Sequence, residues 1–150
     1  MYALNSTPVT EVGGRGHVVK VIGGGAEFDV DRGGKILLRI RFTAEVDGVR
    51  RDYEITYGRY EKNVGRGFAY ACANAPGGRS ADAERFSAVV KALTGREPKV
   101  CQKSGGKIMM KCSRWHLEGF ARYAELADDI ERWLEETSRK HDTGGVLEEG

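Results

Sequence analysis

The chain has 150 residues, 31% charged and 40% apolar, which fits one domain able to bury a core without staples and excludes a disordered chain. No apolar run approaches the ~18 residues of a membrane span, and the opening MYALNSTPVTEVGGRG lacks a basic-then-apolar leader, so a cytoplasmic protein with no membrane partner is expected. The net charge of +2 is uneven: residues 76–112 hold 8 Lys/Arg against 3 Asp/Glu, and residues 113–150 hold 5 against 10. Either a basic face awaits a polyanion or the two segments neutralise each other.

Residues 1–12 and 141–150 read as flexible ends around a single α+β domain spanning 13–140. His17 to Ile22 and Glu27 to Val30 read as two strands separated by a turn at Gly23-Gly24-Gly25. From Lys35 to Val46 the pattern alternates strictly, with Ile36, Leu38, Ile40, Phe42, Ala44 and Val46 on one face and Arg39, Arg41, Thr43 and Glu45 on the other. Asp47-Gly48 is a strong two-residue hairpin signal, and Val49 to Tyr57 returns with the same alternation. That turn predicts Val46 opposite Val49, Phe42 opposite Tyr53 and Ile40 opposite Ile55. On the other face it sets Glu45 against Arg50 and Arg41 against Glu54, so the charges of this hairpin cancel pairwise and attract a polyanion weakly.

Gly58 to Arg66 reads as a loop carrying Arg59, Lys62 and Arg66, followed by a strand to about Asn74 and a break at Pro76-Gly77-Gly78. Ser80 is placed to cap a helix with Ala83, Phe86, Val89, Val90 and Leu93 as its apolar stripe, stopped by Gly95 and Pro98. Lys99 to Cys112 reads as a second hairpin around Gly105-Gly106. That register puts Cys101, Ile108, Met110 and Cys112 on one face and Gln102, Met109 and Lys111 on the other. Ser113 then caps one long helix to about Ser138, with Leu117, Phe120, Ala124, Ala127, Ile130 and Leu134 as its seam and Glu118–Arg122 and Asp128–Arg132 as supporting pairs. The expected fold class is α+β, a mostly antiparallel sheet of β-hairpins with two helices packed on one face.

Residue types that carry chemistry are sparse. Cys72, Cys101 and Cys112 lack C-x-x-C spacing and read as core residues. His17, His116 and His141 have no carboxylate and nucleophile at triad spacing, and no phosphate-cradling glycine motif joins a strand to a helix. No catalytic residue, metal ligand or small-molecule cofactor is therefore assigned. Arg66-Gly67-Phe68-Ala69-Tyr70 does match the start of the RNA-recognition-motif signature strand. The match fails at Ala71 and Ala73, and residues 17–57 offer no helix where that fold needs one. The alternation puts Phe68 and Tyr70 on one side of the strand, facing either solvent or core.

Two resemblances cover more of the chain. GFAYACANAPGGRSADAERFSAVVKALTGREPKV and KIMMKCSRWHLEGFARYAELADDIERWLEE, with the RFTAEVDGVRRDYEITYGRY hairpin upstream, resemble the PaRep repeat family (type two-b) of hyperthermophilic archaea over roughly residues 26–138. One Gln and three Asn among many charges fit such a source. That family implies no activity. The helix–Gly–strand–turn–strand–Ser–helix order is similar to the later part of a LAGLIDADG homing-endonuclease unit, whose sheet sits as a saddle on DNA, but the helix bearing that family's metal-binding acid has no counterpart in residues 1–34.

The saddle analogy implies a sheet face with Arg39, Arg41, Gln102 and Lys111, loops adding Arg59, Lys62 and Arg66, and Lys99, Lys103 and Lys107 along the second hairpin, with Tyr60 placed to stack. The expected function is non-catalytic binding of nucleic acid, DNA or RNA, through phosphate contacts. Lysines at hairpin edges also block edge-to-edge pairing whether or not they bind anything. A protein-interaction or assembly module, including a homodimer, built on Trp115 and Trp133 is the alternative, and a divergent LAGLIDADG-type nuclease the third.

Overall fold

Asp47 and Gly48 take φ angles of 51° and 85°, the paired positive values that a two-residue hairpin turn matching strand twist requires. The turn residue is also tied to the strand before it: Asp47 accepts the Val18 N–H at 2.9 Å and lies 2.7 Å from His17 Nδ1. The His17 hydrogen bond, above all, holds the Asp47 carboxyl below its ordinary range. The hairpin it closes joins β4 (Ile36–Val46) to β5 (Val49–Tyr57) in the expected register, including Phe42 opposite Tyr53 and Arg41 opposite Glu54.

The computed structural model describes residues 3–4, 10–12, 14–30, 32–33, 36–58 and 66–149. Around the central hairpin it places a small β1 (Thr10–Val12) and β2 (Arg15–His17) pair, a long β3 (Val19–Val30), a short β6 (Gly67–Tyr70), and β7 (Lys99–Gln102) with β8 (Ile108–Cys112). The main sheet is antiparallel with strand order β3-β4-β5-β6-β8-β7. Helices α1 (Gly78–Thr94), α2 (Arg114–Phe120) and α3 (Ala124–Glu149) complete the chain, and the apolar seams of α1, α2 and α3 pack against one face of the sheet. The fold is α+β, mostly sheet.

Between sheet and helices the Phe42 ring stacks on Phe86 at 6.4 Å and meets Phe120 at a tilt at 6.2 Å, while Tyr57 meets Trp133 edge-on at 6.1 Å. Each fully buried side chain of this kind contributes about 1.5–3 kcal/mol. Leu4, in the stretch expected to be flexible, is buried here too, its N–H 3.1 Å from the Glu125 carboxylate.

Four local expectations are corrected. The glycines at 23–25 do not turn; β3 runs straight through them with an irregularity between Val21 and Gly23. Glycine is needed because a Cβ on Gly24 would sit 2.3 Å from the Arg41 carbonyl oxygen. Helix α1 starts at Gly78, ahead of Ser80, with Gly77 at its N-cap, and its Asp82 is buried. The expected long last helix breaks at 121–123, where Tyr123 reaches the Leu93 carbonyl at 2.6 Å. This break shifts the seam: Tyr123, Leu126 and Trp133 are buried and Ala124 is exposed, Glu118 pairs with Arg114 and Arg132 with Asp129, and α3 runs on to Glu149.

The last correction bears on the site. The β7–β8 turn holds three residues, Ser104–Gly106, closed by Lys103 N–H to the Lys107 carbonyl at 2.8 Å. Cys101 therefore opposes Met109 and Gln102 opposes Ile108. One residue of slip moves every β7 side chain to the other face, so Gln102 leaves the proposed open face and Cys101 joins it. Cys101 and Cys112 consequently point to opposite sides, and both are free. Cys112 is core, its thiol pushed up to about 12 by burial.

Candidate nucleic-acid interface

Residues paired across an antiparallel ladder share a face, so the helix-free side can be followed strand by strand. It carries Glu27 and Asp29 on β3, Arg39, Arg41, Thr43 and Glu45 on β4, and Arg50, Asp52, Glu54 and Thr56 on β5. Across the β5–β6 boundary it carries Phe68 and Tyr70, then Met109 and Lys111 on β8, then Lys99 and Cys101 on β7.

Charge divides this face in two. On the β3–β5 half each arginine is paired with an acid: Arg39 lies 2.8 Å from Asp29 and 3.7 Å from Glu54, Arg41 lies 2.8 Å from Glu27 and 3.6 Å from Glu54, and Arg50 lies 3.9 Å from Glu45. A phosphate approaching Arg39 or Arg41 must displace a carboxylate already in contact. On the β6–β8–β7 half, Lys99, Lys103, Lys107 and Lys111 form no ion pair among the described residues. Arg66, exposed just ahead of β6, is likewise unpaired among them.

The same half presents the aromatics. β6 opens on Gly67, which passes close against Tyr57: a Cβ there would lie 2.5 Å from the Tyr57 ring. That contact buries Gly67 and Ala69 against the core and turns Phe68 and Tyr70 outward, Tyr70 being 63% exposed. The strand resembling an RNA-recognition signature thus shows its aromatics to solvent.

Two hollows flank Tyr70. The larger, about 780 Å³, opens where β5 and β6 separate, since they pair only at Thr56–Phe68 and Tyr57–Gly67. Phe68, Tyr70 and Met109 form one wall, Asp52, Glu54 and Thr56 another, and Tyr53, Phe86, Arg51 and Asp82 lie deeper. Asp82 accepts Arg51 Nε at 3.1 Å and the Cys72 N–H at 2.7 Å, and lies 3.8 Å from Arg85, so this buried carboxylate is fully compensated. The second hollow, about 490 Å³, is lined by Tyr70, Ala71, Ile108, Ser104, Arg79, Lys103 and Lys107. The Arg79 guanidinium lies against Gly106 of the turn. The hollow holds three cations and no acid.

Of the ten residues expected to form the site, Lys99 and Lys111 pair across β7 and β8, Lys103 and Lys107 line the hollow at the turn, and Arg66 lies just ahead of β6, whereas Arg39 and Arg41 lie on the neutralised half. Arg59, Tyr60 and Lys62 lie outside the described residues. Sequence reasoning missed Arg79, which the chain break at Pro76–Gly78 brings beside the β7–β8 turn, and the buried Asp82 cluster. Trp133 is fully buried with its Nε1–H on the Ile36 carbonyl at 3.3 Å, so the interaction-module reading keeps only Trp115, over whose ring Arg96 lies at 4.4 Å. His116 is a packing residue at the start of α2: its Nδ1 accepts the Ser113 N–H at 3.0 Å. Among the described residues, no group of three or more His, Cys, Asp or Glu is placed to hold a metal ion, and no helix is long and apolar enough to cross a membrane. No protein-family model, curated protein or solved structure matches the chain.

Proposed function

We propose that this chain is a non-catalytic nucleic-acid-binding domain whose contact surface is the β6–β8–β7 half of the helix-free sheet face. One observation carries the reading: two outward aromatics, Phe68 and Tyr70, are bordered by Lys99, Lys103, Lys107, Lys111 and Arg79, none of them paired with a described carboxylate. Unpaired lysines neutralise phosphates without first giving up a partner, and the ion release that follows supplies sequence-independent affinity. Exposed rings add about 1–3 kcal/mol for each base that stacks on them. A duplex hides its base faces, so an aromatic platform favours a single strand, RNA or DNA.

The test is a salt titration with single-stranded and duplex oligonucleotides of both kinds. Single strands are expected to bind more tightly, with log K falling by about 0.7 per tenfold rise in salt for each phosphate contacted. Absence of binding to every oligonucleotide at low ionic strength would overturn the reading.

A further inference from the structure

The two hollows beside Tyr70 differ in a way that a single nucleotide would match. The basic one is lined by Arg79, Lys103 and Lys107 with no acid. The larger one is lined by two cations, Arg39 and Arg51, and three carboxylates, Asp52, Glu54 and Asp82. A phosphate is drawn to the first and repelled by the second. A neutral planar group gains from the second, whose volume of about 780 Å³ falls in the roughly 300–1,000 Å³ range of small-molecule pockets and whose wall includes two aromatic rings.

The cleft also offers unspent hydrogen-bonding groups. Beside a two-residue turn the closing pair, Val46 and Val49, exchanges both backbone bonds, so Val49, Arg51, Tyr53 and Ile55 spend theirs on β4. The N–H and C=O groups of Asp52 and Glu54 then point toward β6, which pairs with β5 only from Thr56 onward. Both residues line the cleft, so its wall presents backbone donors and acceptors with no described partner. Tyr53 adds a buried hydroxyl without a hydrogen bond of good geometry. An edge of alternating donors and acceptors beside an aromatic wall is what the polar rim and flat face of a nucleobase complement.

We infer that this domain takes one nucleotide of its ligand out of the stack, seating the base in the β5–β6 cleft and the adjoining phosphate in the Arg79–Lys103–Lys107 hollow, with Tyr70 between. This rests on the nucleic-acid reading above and adds to it a base-accepting pocket. The ligand chemistry is a nucleotide unit, and the strand is its expected source because Lys99 and Lys111 continue the basic track beyond both hollows. A peptide strand pairing with the open edge of β5 would have no use for the basic hollow.

The experiment measures binding of the full chain to a labelled ten-nucleotide single strand in which each position in turn is made abasic. One position is expected to cost about tenfold and the others far less, in line with the loss of one buried base. Thr56→Phe, which fills the cleft from its exposed wall, should cost a similar factor on the intact strand and nothing further on the strand abasic at that position. Arg79→Ala should weaken both strands alike. A flat abasic profile with Thr56→Phe binding like the parent overturns the pocket while leaving the surface reading intact; no binding of any strand at low salt removes both. Free mononucleotides, titrated separately, are expected to compete only at about a hundredfold higher concentration or more, because they lack the Lys99–Lys111 contacts. Equal potency would overturn the strand as the source of the nucleotide.

Discussion

The two halves of the helix-free face are built from the same kind of antiparallel strand, and they differ in where their charges go. On β3–β5, Arg39 and Arg41 each touch acids on both neighbouring strands and share Glu54. On β6–β8–β7 the lysines form no ion pair with a described acid, and aromatics stand where the first half places carboxylates. Cations alone therefore do not make a face attractive to a polyanion; cations without a described partner do. An arginine held at 2.8 Å by a carboxylate is worth little to stability in the open, but the adjacent negative charge cancels most of the attraction it would offer a phosphate.

The largest expected effect tests the boundary between the halves. Asp82→Ala leaves Arg51 and Arg85 without their shared carboxylate and the Cys72 N–H without its acceptor. Removing one member of such a buried cluster costs about 3–5 kcal/mol, read as a fall in urea midpoint at unchanged m-value. Arg41→Ala, breaking an exposed pair, should stay within about 1 kcal/mol. Equal costs would show that the two kinds of ion pair are not distinct.

Next comes binding. Tyr70→Ala should lose about 1–3 kcal/mol of single-strand affinity, roughly 5- to 150-fold, with stability nearly unchanged because the ring is 63% exposed. Arg41→Ala should change affinity less than about twofold, since that arginine is held by Glu27 and Glu54 and does not line the cleft. If Arg41 matters as much as Tyr70, the division of the face is wrong. A smaller change in the opposite direction should follow Glu54→Gln, which releases one acid from both Arg39 and Arg41; affinity should rise a few fold and the salt dependence steepen by less than about one phosphate equivalent.

How much of this was legible beforehand depends on the element. The β4–β5 hairpin was readable to the residue pair because Asp47-Gly48 specifies both turn type and register, and its pairwise charge cancellation followed directly. The β7–β8 hairpin was not, because Ser104-Gly105-Gly106 serves a two- or a three-residue loop equally well, and that one residue decides which face Cys101 and Gln102 occupy. Outward aromatics on β6 were undecidable from alternation alone. They are settled by the clearance at Gly67, where only a missing Cβ fits against the Tyr57 ring. Arg79 was invisible for another reason: its partners Lys103 and Lys107 are neighbours through tertiary structure, and no local spacing announces that.

The smallest expected effect concerns the support beneath β8. His116 Nδ1 accepts the N–H of Ser113, the residue after β8, so the proton sits on Nε2, which faces the Arg96 and Glu97 carbonyls at 3.2 Å. Burial, above all, holds its pKa below the ordinary histidine value despite those two carbonyls. The unfolded chain therefore binds the proton first. This contribution to stability is whole above the ordinary pKa near 6.5 and is lost as pH falls through the depressed folded value. Gln at position 116 can still accept from Ser113 but cannot be protonated. His116→Gln should thus leave the urea midpoint nearly unchanged at pH 7.5 and make its decline toward pH 5 shallower than in the parent. A parallel decline in the two proteins would mean that the acid sensitivity belongs to carboxylates such as Asp47, and that the histidine beneath the β6–β8–β7 half does not contribute to it.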